Sequence, residues 1–209
     1  KSSIWLLDPR PDLQNIVHVV EKGFELSEAS HAPVMLELRI RACHVTGSFQ
    51  AKDNRKPAIS ELHRTTPAPH NFARLSHPPV TFAQERIKVE QRMPAAREFI
   101  RREKLNEFFS GDLKDIGIIV QGGLYNGTLR ALERLALADL FGECRVPMLC
   151  LNVTYPLVPE EIREFCADKK SVLIVEEGFP EYIEQMVATE LRRGDCQTRL
   201  YGKDVLPQA

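Results

Sequence analysis

Three runs of apolar residues in the second half of the chain, at 116–120, 147–153 and 171–176, dictate most of what it can become. Each is strand-sized, and each lacks the polar alternation of a strand with one wet face. Between them the apolar residues fall at helical spacing. Leu129, Leu132, Leu135, Ala136 and Leu140 share one face of a segment expected to be helical over 127–141. Ile162, Phe165 and Cys166 form the inner stripe of the next, which opens at Pro159 with Glu160 and Glu161 at its positive end. Ile183, Met186, Val187 and Leu191 line a third helix, expected to open at Pro180 and to stop at Gly194, and 198–201 reads as a fourth strand. Buried strands alternating with helices specify a doubly wound α/β domain with a parallel sheet covered on both faces, here over 112–209.

The first part of the chain has a different grammar. Residues 1–47 read as one helix and one strand. Asp12 is placed to cap a helix carrying Leu13, Ile16, Val17, Val20 and Phe24, and an apolar strand follows at 34–40. A lone strand has no partner for its ladder, so this segment is expected to be an incomplete α/β unit, the tail of a larger domain. Between Gly47 and Gly111 there is no glycine, while Pro57, Pro67, Pro69, Pro78, Pro79 and Pro94 punctuate the stretch. Prolines at that density suit an extended connector over 48–94 rather than a long helix or a sheet. A linker helix is expected from Arg97 to Phe109, so that 48–111 as a whole joins the two α/β parts.

Charge narrows the function classes. Twenty-eight Lys and Arg oppose 29 Asp and Glu, a net charge of −1, which argues against a nucleic-acid binder. No apolar run approaches the roughly 20 residues that cross a bilayer, and there is no basic-then-apolar leader, so the expectation is a cytoplasmic protein. The five cysteines are scattered, with no C-x-x-C pair, and the six histidines, all between His18 and His77, show no H-x-x-x-H spacing. Neither a zinc site nor a local iron–sulfur cluster is expected.

Two places could hold chemistry. The turn after the first apolar strand, Gly122-Gly-Leu-Tyr-Asn-Gly-Thr128, could offer backbone N–H groups to an anion, with Gly122, Gly123, Asn126 and Thr128 as the candidate residues. It lacks the P-loop lysine and the G-x-G-x-x-G spacing, so the glycines suit a tight turn between strand and helix better than an anion site. Glu176 and Glu177 sit at the carboxyl end of the third strand, where open α/β sheets place ligands, and Tyr155 lies at the equivalent end of the second. That crevice could do acid–base work, or one glutamate could be oriented locally and the other solvated. Arg41 and His44 follow the N-terminal strand, and Cys150 reads as a small core residue.

The residues Thr154-Tyr-Pro-Leu-Val-Pro-Glu-Glu-Ile-Arg163, with Val172-Leu-Ile-Val-Glu-Glu-Gly178 and Ile118-Ile-Val-Gln-Gly-Gly-Leu-Tyr-Asn126, resemble the transketolase C-terminal-like domain of thiamine-diphosphate enzymes. Within that group they are most similar to the α subunit of indolepyruvate-type 2-oxoacid:ferredoxin oxidoreductases. Phe24-Glu-Leu-Ser-Glu28 and Pro33-Val-Met-Leu-Glu-Leu-Arg39, with His44, look like the end of that subunit's pyrimidine-binding domain. The resemblance implies oxidative decarboxylation of an aryl 2-oxoacid by a homo-oligomeric, dimeric enzyme. It also implies thiamine diphosphate, magnesium and iron–sulfur clusters, with ferredoxin and coenzyme A as partners. This chain has no G-D-G and no cysteine cluster, so no catalytic residue carries over and no cofactor is expected on this piece alone. The reading that follows is a structural or interface part of such an enzyme. The alternatives are a phosphate- or CoA-binding α/β module, or the equivalent segment of another 2-oxoacid dehydrogenase.

Overall fold

The computed structural model describes residues 4–54, 71, 75 and 77–205, and for 41 and 42 the backbone alone. The proline-rich heart of the expected connector, with Pro57, Pro67 and Pro69, lies outside the described residues.

Asp12 caps α1 (Leu13–Ser30) as its position implies, accepting the Asn15 N–H at 2.8 Å. On either side of this helix lie two short parallel strands, β1 (Trp5–Leu7) and β2 (Val34–Leu36). The sequence pointed to one strand here; β1 is three residues long, too short to show a period. The second strand also ends sooner than expected, because 40–43 turn into a helical segment, α2 (Ile40–Cys43).

From Thr81 to Arg102 the backbone is continuously helical, against the expectation of an extended chain up to 94. It comprises α3 (Thr81–Ile87), one π-helical turn over Lys88–Arg92, and α4 (Met93–Arg102); Pro94, inside this continuous helix, has no N–H to give the ladder, and the π turn falls just before it. The expected linker helix therefore ends before Phe108 and Phe109. Lys104 adopts a left-handed φ of 51°, and Glu107–Phe109 form the edge strand β3.

The larger sheet follows the alternation read from the apolar runs. Its order is β3, β5 (Met148–Leu151), β4 (Ile116–Gln121), β7 (Ser171–Val175), β8 (Arg199–Tyr201). All neighbours are parallel except β3, which runs antiparallel on β5. Helix α5 (Tyr125–Arg134) packs on one face against Ile118, Val120, Met148 and Cys150. Helices α6 (Pro159–Cys166) and α7 (Tyr182–Arg193) pack on the other, against Ile119, Leu149, Leu151 and Ile174. The doubly wound α/β class is thus observed.

Helix α5 is shorter than its apolar spacing suggested, and Asn126 lies within it rather than at its cap. Ala136 takes a left-handed φ of 57° and the chain leaves the helix, stranding Leu135, Leu140 and Phe141 in solvent. Gly142, expected just past the helix end, has its positive φ in the following turn instead. Helix α7 starts at Tyr182, two residues later than Pro180 suggested.

The run 147–153 is two strands. Asn152 breaks it, and β6 (Val153–Tyr155) leaves the large sheet to pair antiparallel with β1. A second sheet results, ordered β2-β1-β6. Trp5, Leu7, Val19 and Leu26 meet Phe99 and Ile100 of α4 and Val153 of β6 in one buried cluster. The N-terminal segment therefore finds its missing ladder partner on the strand that leaves the large sheet.

Polar groups fill the joint. Asn106 donates to the Glu161 carboxylate at 2.7 Å and accepts the Val153 N–H at 2.9 Å. Burial pushes the Glu161 carboxyl above the ordinary carboxylate range, while the Asn106 hydrogen bond pulls it back. A carboxyl raised in the fold keeps its proton over a pH window where the unfolded chain has released it. Its contribution to stability is therefore full at low pH and lost as pH climbs through the folded-state pKa. Glu161→Gln keeps an acceptor for Asn106 and is expected to flatten that decline, leaving the variant more stable than the parent at neutral pH. Urea midpoints across pH 4–8 on the order of one-unit steps check this; parallel profiles for variant and parent would contradict it.

Candidate functional site

In the large sheet β4 leads through α5 to β5 on one side, whereas its neighbour β7 leads through α7 to β8 on the other. The sheet's switch point therefore lies beyond the carboxyl ends of β4 and β7, where a doubly wound fold opens a crevice. Its walls are the turn after Gln121 and the residues Glu176, Glu177 and Gly178.

This crevice is filled from within the chain. Gly122 to Leu124 form a 3-10 turn leading into α5. A Cβ added at Gly122 would overlap the Asp8 carbonyl oxygen, and one at Gly123 would overlap the Arg39 side chain. The two glycines let the end of β1 lie directly on the turn. The Asp8 carboxylate, 1% exposed, is gripped by Arg39, with Nη2 2.9 Å from Oδ2 and Nε 3.4 Å from Oδ1. The same guanidinium reaches across to Glu177, whose N–H donates to Gln121 Oε1 at 3.1 Å. Glu37 stands 3.9 Å from Arg39.

The two adjacent glutamates do different things. Glu176 turns back over the start of α7, accepting the N–H groups of Ile183 at 2.9 Å and Glu184 at 3.0 Å. It supplies the cap the helix otherwise lacks and sits at the positive end of the helix dipole. Glu177 is exposed except for its pairing with Arg39. Of the other candidates, Thr128 donates to the Leu124 carbonyl and Asn126 to the Pro11 carbonyl. Tyr155 lies apart, at the end of β6, with its ring 5.9 Å from that of Trp5. His44 is exposed, and the Arg41 side chain is outside the described residues.

The structure thus brings Gly122, Gly123 and Glu177 together but separates them from Tyr155, and it adds Asp8 and Arg39, which no sequence motif marks as site residues. The available signal was an acidic residue at the end of the apolar Trp5-Leu-Leu7 run, a place where a carboxylate needs a partner. One guanidinium here faces three carboxylates, Asp8, Glu37 and Glu177. A phosphate at this turn would have to displace Asp8 and Glu177 from Arg39 and approach against net negative charge.

The donor set does not fit the metal-dependent groups that the resemblance implies. Among the described residues no group of three His, Cys, Asp or Glu side chains is placed to hold a metal ion. Cys150 and Cys166 are buried, and burial pushes both thiols up, that of Cys166 to about 12, far from thiolate ligands. No helix of the described residues is long and apolar enough to cross a membrane.

Gly122→Ala is expected to cost about 2 kcal/mol, since backbone meets backbone and neither can rotate away. Gly127→Ala, with nothing within 4 Å of its added Cβ, is expected to gain up to about 1 kcal/mol within α5. Paired urea titrations give both values; equal effects would contradict the close approach at Asp8.

The same fold occurs in a solved oxidoreductase. A 2-oxoglutarate:ferredoxin oxidoreductase from Magnetococcus marinus, with 2-oxoglutarate, coenzyme A and succinyl-CoA bound, superposes with a TM-score of 0.57 over 95% of this chain and 38% of its own, at 18% identity. In sequence the chain is similar to indolepyruvate oxidoreductase subunit IorA of Methanothermobacter marburgensis, 31% identical over 173 residues, and to the same subunit of Methanothermobacter thermautotrophicus, 30% identical over 176. These matches take in 82% and 84% of the chain and 26% of each relative, so the chain spans about a quarter of the length of the curated proteins it matches. No protein-family profile matches it. The resemblance read from the motifs is borne out: over most of its length the chain is similar to a part of these oxidoreductase subunits.

Proposed function

We propose that this chain is the transketolase C-terminal-like part of an indolepyruvate-type 2-oxoacid:ferredoxin oxidoreductase α subunit, and that its role there is structural. The single observation that supports this most is the crevice at the switch point, occupied by Asp8 and Arg39 of the N-terminal segment rather than left open. On this reading thiamine diphosphate, magnesium and the iron–sulfur clusters sit in other parts of the enzyme. Ferredoxin, coenzyme A and a second α subunit are partners of the whole cytoplasmic assembly.

The part facing its neighbours in that assembly is the N-terminal sheet. Strand β2 ends it, with no further strand on its outer edge among the described residues. Phe24 of α1 and Met35 of β2 are 75% and 52% exposed, beside an apolar groove of about 270 Å³ between α1 and β2. Because the chain matches only 26% of its relative's length, the occupant proposed for this face is the remainder of the same subunit.

The test is an assay of the isolated chain with indolepyruvate, ferredoxin, coenzyme A and thiamine diphosphate, beside the complete enzyme carrying Phe24→Lys. No turnover by the chain, and weakened assembly of the full enzyme by Phe24→Lys, are the expected results. Turnover by the chain alone would overturn the structural role. Calorimetry with coenzyme A is expected to be flat; saturable binding abolished by Gly123→Val would instead favour an anion site at Gly122, Gly123, Asn126 and Thr128.

A further inference from the structure

A second cavity lies on the other side of the molecule, between α4 and α7, with a volume of about 400 Å³. Its walls include Arg97 of α4, Tyr155 at the end of β6, Leu157, and Tyr182, Gln185 and Met186 of α7. It shares no residue with the switch-point cluster of Asp8, Arg39 and Glu177.

Arg97 is the central observation. Its Nε donates to the Leu157 carbonyl at 2.9 Å, which fixes the plane of the guanidinium against the cavity wall. No hydrogen bond or ion pair joins its two Nη nitrogens to any described residue, and it stays half-buried. A guanidinium held by one edge with its fork free is built to take a planar, two-oxygen anion. The carboxylate in the cavity wall, Glu190, does not compete. Both its oxygens are engaged, Oε2 by Arg163 at 2.8 Å and Oε1 by Arg193 at 2.9 Å. Among the charged residues of the lining, Arg97 and Arg193 outnumber Glu190, which favours an anionic guest.

The rest of the lining asks for an apolar body. Tyr155 lines the cavity and its ring packs against that of Trp5, centroids 5.9 Å apart. Tyr182, on the first turn of α7, with Leu157 and Met186, adds apolar surface to the same lining. For the two tyrosine hydroxyls no partner is found among the described residues, which leaves them to donate to a guest. The volume lies within the range of small-molecule sites and suits a ring carrying a short acid arm rather than a nucleotide.

We propose that this cavity binds a small aromatic carboxylate, its acid group on the Arg97 fork and its ring between Tyr155 and Tyr182.

The probe is phenylacetate, titrated into the native 209-residue chain by calorimetry, with acetate and 2-phenylethanol each supplying half of the recognition. Saturable phenylacetate binding is expected, about tenfold or more tighter than either half-ligand. Arg97→Gln is expected to weaken it by about the same factor, as the loss of a charge-assisted pair implies. Tyr182→Ala, at an exposed helix position that the core does not use, is expected to weaken it without altering Trp5 emission, so a folded variant remains available if Arg97→Gln unfolds. Three results would overturn the site: no saturable binding of phenylacetate, equal affinity for phenylacetate and 2-phenylethanol, or undiminished binding by the Tyr182→Ala protein.

Discussion

Asn152→Ala is expected to destabilise the chain by about 4 kcal/mol, the largest effect of any single truncation at the joint between the two sheets. Asn152 is fully buried, and its amide serves four partners. It accepts from the Arg10 N–H at 2.7 Å and from the Asn15 side chain at 3.2 Å, and it donates to the Leu105 carbonyl at 2.7 Å and the Glu107 carboxylate at 3.0 Å. Truncation strips a part-buried backbone donor and a buried backbone acceptor at once, and no apolar contact replaces them. The same residue's carbonyl accepts the Asp8 N–H at 2.9 Å, so the site where the strand changes sheets also pins the N-terminal segment. Urea unfolding followed by circular dichroism measures the loss. Asn126→Ala, an exposed asparagine with one hydrogen bond to Pro11, is the control and is expected within about 0.5 kcal/mol of the parent. A loss below about 1 kcal/mol for Asn152→Ala would show that the network carries little of the joint.

Arg39→Met is expected to cost about 3 kcal/mol. The guanidinium is the partner of Asp8, and removing it leaves a carboxylate buried without compensation, which is dearer than the pair was worth. Its other partner weighs little, because Glu177 is 62% exposed on its side chain and its pairing is screened by water and salt. Glu177→Gln is therefore expected to change stability by less than about 0.5 kcal/mol. Combining Arg39→Met with Asp8→Asn should restore most of the loss, since an amide in that place no longer carries an unpaired charge. The double-mutant cycle isolates the pair from its surroundings. Additive losses would mean that Asp8 and Arg39 act separately and that the crevice is not latched through them.

What the sequence showed and what it hid follow from interaction range. The parallel sheet, the proline-opened α6 and the Asp12 cap of α1 are local or periodic, and each was legible. Phe108 and Phe109 misled because their spacing fits a helical stripe, while the left-handed turn at Lys104 that ends the helix carries no glycine to announce it. Asn152 looked like a polar interruption of one strand; only its four partners, from 45 to 142 positions away, reveal a change of sheet. At the site, the glycines and glutamates could be marked, whereas the Asp8–Arg39 pair spans 31 positions and depends on β1 and β2 lying side by side. Glu176 and Glu177 were distinguishable as one oriented and one solvated carboxylate, but not which was which. That depended on where β7 stops.

Trp5, the sole tryptophan, is fully buried between α1, α4 and β6, with its indole N–H 2.7 Å from Ser30 Oγ, and it reports on whether the opening segment is docked. The most direct measurement is therefore urea unfolding of the native chain read in parallel by Trp5 emission and by far-ultraviolet circular dichroism. One coincident transition, from blue-shifted emission resistant to acrylamide quenching, is expected if the N-terminal sheet and the large sheet fold as one latched body. Red-shifted, freely quenched emission in the native protein, or a Trp5 transition completed before the helices melt, would contradict it.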